Sequence, residues 1–476
     1  MTERERDRRA EKGARSVRAA EGGADQSARR RGGTGTRDRC PAARGPGRGR
    51  DRGGTAPGDA VREGRRGTSR RSFTLLLLGQ ISSLTGNLTL KFALSMYVLE
   101  RTGSASVFAG LLALSMLPTV LLSPLGGLLA DRADRRKVMV ALDLLSGLAV
   151  LCAGLALPLG RDILTIGALL IALSVLAAFE SPTVQACVPQ LLSGEDILRG
   201  NAAVNQVAAT ASLVTPFLGS VAYTAFGLRP VLWGAVACFF VTALLERSLR
   251  LPPREREAGR APGLGEDMAD CLRFLGREQP GILKLLLLAA LVSLFVAGAV
   301  VVGAPYLVRT VLGLSAGWYG AAESAMGVAS ILGGVCVGLL GQRLRLRSLW
   351  AAFAALGACL IPCGGAFLLP LDAAARYLVL LAAFCVCQLG CSVFSTCAIS
   401  VIQARTPERL MGKVMSFVTT LSMCAQPVGQ IAYGALFDLA AGRVYWVLIP
   451  SGLLVCAIGL ASSSFFARLE EEGRAA

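Results

Sequence analysis

GGLLADRADRRKVMV (126–140) sets four basic and two acidic side chains in the seven positions from Asp131 to Lys137. On both sides the chain is almost wholly Leu, Val, Ala and Gly. A brief charged break between two long apolar runs is what a chain shows when it leaves a membrane and re-enters it. From Phe73 onward the pattern recurs, with apolar runs of roughly 20–27 residues, long enough as helices to cross a hydrocarbon core of about 30 Å. Apolar residues do not alternate with period two, which argues against a β-barrel. The expected fold is all-α and polytopic. Hydrophobic residues make up 53% of the 476, above the usual share for a soluble domain.

Twelve spans are expected, at 73–99, 105–129, 138–158, 163–186, 201–226, 230–249, 282–307, 317–341, 347–369, 375–398, 412–437 and 444–467. Residues 1–71 are rich in Arg and Gly, hold 21 basic and 10 acidic side chains, and lack the apolar content to bury a core. They read as a disordered basic tail. Such a tail suits contact with anionic lipid or nucleic acid, but a simply solvated segment is the plainer reading, and no nucleic-acid partner is expected. No short apolar core follows the first residues, so no cleavable signal peptide is expected.

The 49 Lys and Arg residues divide unequally between the two faces implied by the spans. With the N-terminus inside, the tail holds 21, another 21 fall in loops on the same side, and six fall opposite, at Arg101, Arg161, Arg229, Arg309, Arg376 and Arg443. That asymmetry predicts cytoplasmic termini and a plasma-membrane location. One cation, Lys91, remains inside the first span. The 14 cysteines lie mostly in spans and read as small hydrophobes. Cys385, Cys387 and Cys391 are closely spaced, yet on a helix the first two point about 200° apart, so no metal site is expected. No His is present, and nothing calls for a cofactor.

PFLGSVAYTAFGLRPVLW (216–233) parallels PVGQIAYGALFDLAAGRVYW (427–446). Gly219 matches Gly429 and Tyr223 matches Tyr433, so spans five and eleven correspond. Two parallel six-helix repeats follow, 72–249 and 282–467, joined by a cytoplasmic linker at 250–281 and ended by a tail at 468–476. SGED (193–196) and TPE (406–408) have helix-start chemistry and predict short surface helices ahead of spans five and eleven.

The opening stretch resembles the loop between the second and third spans of the major facilitator superfamily: Gly, three residues, Asp-Arg, two residues, then a basic run. Gly127, Asp131, Arg132, Arg135, Arg136 and Lys137 carry the match, and Asp134 stands where a second Gly is usual. The resemblance covers 72–467 and is nearest to the drug and siderophore exporter branch. It implies the major facilitator fold, and a conformational gate at Gly127, Asp131, Arg132, Arg135 and Arg136 that latches the two halves. The plainer alternative for these cations is anchoring at the membrane surface.

Charge inside a span is costly and marks function. Lys91, Glu180 and Glu323 are the candidates for proton or ion coupling, and Asp143 lies near the end of span three. Counting places Lys91 and Glu323 at similar depth on opposite halves, where they would pair when the outer side closes. Asn87 and Ser83 share a helical stripe with Lys91 and Gln80, so they are candidates to line a cavity. Asn205 and Gln206 are expected beside Glu180. LVTPFLGS (213–220) resembles the antiporter motif of exporters through Pro216 and Gly219, although Thr215 and Ser220 replace two of its glycines.

The expectation is a non-enzymatic, secondary active exporter of a lipophilic small molecule. It would be driven by protons, work by alternating access, sit in the bilayer and act as a monomer. A nutrient importer, or a receptor or scaffold on a transporter fold, remains an alternative.

Overall fold

The computed structural model describes residues 57–192, 195–251, 273–340, 349–440 and 442–475. Among these the chain is helical throughout, with no strand. The helices are α1 (Pro57–Thr102), α2 (Ala105–Arg132), α3 (Arg135–Ala156), α4 (Asp162–Leu191), α5 (Glu195–Phe226) and α6 (Leu228–Arg247). They continue with α7 (Pro280–Val311), α8 (Ala316–Leu340), α9 (Leu349–Gly365), α10 (Ala373–Arg405), α11 (Glu408–Leu439), α12 (Tyr445–Ala461) and α13 (Ser463–Ala475). Ten of the first twelve are long and apolar enough to cross a membrane. The other two are α9, with 17 apolar residues, and the more polar α11.

Local chemistry sets the ends. Asp134 caps α3, accepting from the Lys137 amide at 3.5 Å. Asp372 caps α10 through the Ala375 amide at 3.2 Å. Between α3 and α4 the chain turns at Gly160, whose φ of 81° favours a residue without Cβ. α7 is regular to Val296 and then widens into π-turns at Ala297–Val302 and Leu307–Val311. The first of these turns holds Gly298 against the ring of Tyr433.

Packing repeats at a spacing of six helices. α2 lies on α4 as α8 lies on α10, α3 lies on α6 as α9 on α12, and α3 on α4 as α9 on α10. Between the two sets, α2 meets α11 and α5 meets α8, again a matched exchange. In lipid, helices associate by close packing of small residues rather than by the hydrophobic effect. A Cβ on Gly126 would strike the Ala178 carbonyl, one on Gly357 the Gly452 carbonyl at 2.5 Å, and one on Gly429 the Leu294 carbonyl. Gly219 sits against Phe92 of α1, where a Cβ would lie 3.2 Å from the Phe92 Cβ. The glycines matched in sequence, Gly219 and Gly429, therefore do the same work, α5 on α1 and α11 on α7.

Two expectations change. The helix carrying the first span begins at Pro57, inside the stretch expected to be unstructured; Pro suits a first helical turn, and the Ala, Arg and Glu that follow are good helix formers. Residues 1–56 lie outside the described residues, as does most of the linker. No separate surface helices precede spans five and eleven, because α5 runs unbroken from Glu195 and α11 from Glu408. The internal prolines Pro216 and Pro427 do not end these helices.

Candidate functional site

The contacts between the two helix sets concentrate at one end of the bundle, where α1 turns into α2 and α11 into α12. The Asp438 carboxylate of α11 accepts from Ser104 Oγ at 2.6 Å and from the amides of Ala105 and Ser106 at 2.8 and 3.0 Å. It thereby caps the free N–H groups that open α2 and meets the positive end of that helix. Nearby, Glu100 accepts from Arg309 Nη2 at 3.0 Å and from the Tyr223 hydroxyl at 2.8 Å, tying α1, α5 and α7 together. Gly434 lets α11 ride on Ala105 and Ala109, and Gly320 lets α8 ride on Ser220.

Further along, Gln430 Nε2 lies 3.7 Å from Met116 Sδ, and Ser324 Oγ donates to the Leu213 carbonyl at 3.3 Å. Beyond these, no hydrogen bond among the described residues joins the two sets. Gly333 of α8 faces α10, and Gly338 has open space before it. The described contacts between the two sets thus gather toward the α1–α2 end of the bundle.

Behind the closed end lies a cavity of about 230 Å³. Its charged walls are Lys91 of α1 and Glu323 of α8. Phe92 and Tyr319 also line it and stack at 5.6 Å across the two sets. Ser95, Ser212 and Thr215 add hydroxyls, and Pro216 completes the α5 wall. Lys91 and Glu323 share the cavity without an ion pair within 4 Å, and one Glu323 oxygen is buried with no donor. A space of this size has room for several waters or one compact ligand group.

A second polar group lies outside the cavity. Ser83 of α1 is buried, with Oγ 3.3 Å from Asp143 Oδ1 of α3 and 3.2 Å from Glu180 Oε1 of α4. Asp143 and Glu246 of α6 are buried beside it.

A family model of the Major Facilitator Superfamily matches residues 76–429. The chain belongs to that superfamily. It is a multi-pass membrane transporter, not an enzyme. Macrolide efflux protein A of Streptococcus pyogenes is 25% identical over 393 residues, covering 81% of this chain and 93% of that protein. The multidrug efflux pump Tap of Mycobacterium tuberculosis is 26% identical over 391 residues, covering 79% and 89%. Among solved structures, a bacterial homologue of the iron transporter ferroportin in an inward-facing state has a TM-score of 0.63 at 21% identity, covering 84% and 98%. The nucleoside transporter NupG has a TM-score of 0.65 at 11% identity, covering 84% and 98%. These structures share the fold.

The residues singled out in the transporter's sequence fall in different places. Gly127, Asp131 and Arg132 lie in the last turns of α2, with side chains outside the described set. Arg135 is buried, its Nε donating to the Ala130 carbonyl at 2.9 Å and its Nη1 to the Ala186 carbonyl at 2.6 Å and Gln190 Oε1 at 3.2 Å. It fastens the ends of α2 and α4 to the start of α3, and its cation meets carbonyls at helix C-terminal ends. Arg136 lies half-buried beside it.

Of the polar stripe on α1, Lys91 reaches the cavity, whereas Ser83 turns to Asp143 and Glu180, and Asn87 Oδ1 is buried without a donor. Asn205 and Gln206 are exposed and do not partner Glu180; Gln206 turns along its own helix to Thr210 at 3.4 Å. Ser83 of α1 is the side chain that meets Glu180 instead, at 3.2 Å. Sequence reasoning missed Asp438, Glu100 and Glu246. Each stands within two residues of a helix end, where a charge reads as a solvated loop group.

Proposed function

We propose that this transporter exports a lipophilic small molecule from the cell by alternating access, exchanging it for protons. The observation that carries the reading is the cavity holding Lys91 and Glu323 between the two helix sets, behind the contacts that join them at the α1–α2 end. The distribution of Lys and Arg supports placing the opposite end, with both termini, in the cytoplasm of a plasma-membrane protein. The cavity then faces inward and is ready to load. Efflux by the two relatives supports the direction of transport, and a monomer suffices because both walls come from one chain.

A carboxylic acid that binds a proton in one conformation and releases it in another is what proton exchange needs. Glu323 in the cavity and Glu180 beside Ser83 are the groups placed to do so. Lys91 offers a fixed positive charge on the opposite wall. At the loop between α2 and α3, Asp131 and its neighbouring cations form the gate that re-closes the inner side, with Arg135 as its anchor. Pro216 and Gly219 set the path of α5 past the cavity.

The test is substrate retention in an efflux-deficient bacterial host expressing wild type or Glu323→Gln, with and without a protonophore, against a panel of macrolides and dyes. Wild type should lower retention of at least one compound, and both the protonophore and E323Q should abolish that effect. Retention lowered equally by E323Q removes Glu323 from coupling. No response to any compound moves the chain to import or to a scaffold role.

A further inference from the structure

Asp143, Glu180 and Glu246, from three different helices, converge on α1 between Gly79 and Ser83. The Ser83 hydroxyl has one hydrogen but lies within bonding distance of two carboxyl groups, so one of the two contacts calls for a hydrogen from the acid. Glu246 lies against Gly79, where a Cβ would be 3.9 Å from Glu246 Oε1, and its carboxyl faces that of Asp143. Glu246 is 0% exposed and Asp143 1%, and neither Glu246 oxygen nor Asp143 Oδ2 has a donor.

No described Lys or Arg comes within ion-pair distance of either acid. The other groups facing them are accounted for. Thr242 of α6 bonds the carbonyls of Cys238 and Gly79, Arg135 of α3 bonds those of Ala130 and Ala186, and Cys187 of α4 pairs with Met139. Lys91, two turns along α1, acts on Glu180. Two ionised carboxylates facing each other in so dry a place would repel strongly. A single proton between them removes one charge and supplies the missing donor.

We propose that Asp143 and Glu246 hold one proton between them, a store that loads and empties through Ser83 and Glu180, beside the cavity rather than in it. On unloading, the shared proton stays with Asp143, whose carboxyl turns to bring the O–H to the oxygen facing Ser83; that bond then breaks toward Ser83 Oγ while Ser83 gives its own hydrogen to Glu180 Oε1. Asp143 and Glu246 are left as carboxylates and Glu180 as the acid. Glu180 is the least buried member of the group and is where that proton exchanges with water. Reloading is the reverse. Emptying sets two facing anions between α3 and α6, so proton occupancy and the packing of these helices are linked. The store deepens the proton-exchange reading and rests on it for its role in transport.

The test needs no substrate. Infrared difference spectra of the full chain in lipid nanodiscs at neutral pH read the C=O stretch of protonated carboxyl groups. Glu246→Gln should remove one such band, Asp143→Asn the same band, and the double variant no more than either. Ser83→Ala should keep the band but slow its hydrogen–deuterium shift by about a hundredfold, the loss expected for removing a positioned proton carrier. An unchanged spectrum in E246Q overturns the proposal, as do two separate bands whose losses add. Should an amide variant fail to assemble, wild type alone decides. The absence of any protonated-carboxyl band at neutral pH overturns the store, and a band that vanishes at high pH together with a fall in melting temperature supports it. Loss of export with the shared band intact counts against the export reading alone.

Discussion

The α3–α6 pair and the α9–α12 pair hold equivalent places in the two halves, and they are held together in opposite ways. In α9 and α12 there is not one Asp, Glu, Lys or Arg. Gly357 and Gly452 bring the two backbones together, Gly459 rests on Ala354, and Cys456 Sγ bonds the Ala354 carbonyl at 3.2 Å. In α3 and α6, Gly147 receives Phe239 and Phe240 over one stretch, but the next turns bury Asp143 and Glu246. A repeated frame lets one copy keep the tight packing while the other takes on charge.

The comparison breaks most severely if the glycine seam is filled. Gly452→Leu would drive a side chain into the Gly357 carbonyl and Leu360, and should cost about 3 kcal/mol or prevent assembly, as overpacking of a tight contact does. The melting temperature of the detergent-solubilised protein reads this, and a change of only a degree or two would show that the glycine seam does not hold α9 to α12. Ser83→Ala probes the charged counterpart. It strips a hydrogen-bond partner from Asp143 and Glu180 and should cost about 1–2 kcal/mol of stability by the same measurement. A melting temperature equal to that of wild type would mean the hydroxyl bridges nothing.

How much of this the sequence makes legible differs between the two regions for the same reason. Spans, repeat and interface glycines can be read because helix length and the match of Gly219 with Gly429 are periodic properties of one chain segment. Lys91 and Glu323 stand out because each is an isolated charge deep in an apolar run. Glu246 does not, since it is followed at once by Arg247 and reads as an end-of-span charge. Its burial against Gly79 is set by how α6 crosses α1, which no local pattern encodes. Ser83 misleads in the opposite sense: its place on the Lys91 stripe is correct, but a helix face wide enough to span two neighbours serves the cavity at one level and the acids at another.

Where the halves meet, each lends the other an acid. Asp438 of the C-terminal half caps α2 of the N-terminal half, and Asp438→Ala should remove about 1–2 kcal/mol from that closure, the usual worth of a helix cap. Hydrogen exchange at the amides of Ala105 and Ser106 should then quicken by about tenfold. Unchanged exchange there would mean that Ser104, which also caps Val107 at 3.2 Å, holds the end of α2 by itself.

Glu100 is the reverse loan, and its effect should be the smallest. Its side chain is 54% exposed, against 15% for Arg309, so water screens much of the attraction across their 3.0 Å contact. Arg309 also keeps its bond to the Leu314 carbonyl at 2.6 Å when the acid is neutralised, and a glutamine can still accept from the Tyr223 hydroxyl. A double-mutant cycle of Glu100→Gln with Arg309→Gln, read by thermal unfolding, should therefore give a coupling of about 0.5 kcal/mol, in the range of exposed ion pairs. A coupling several times larger would reverse the order of the two latches. The closed end would then be held by charge rather than by the capping of α2, and salt would open it.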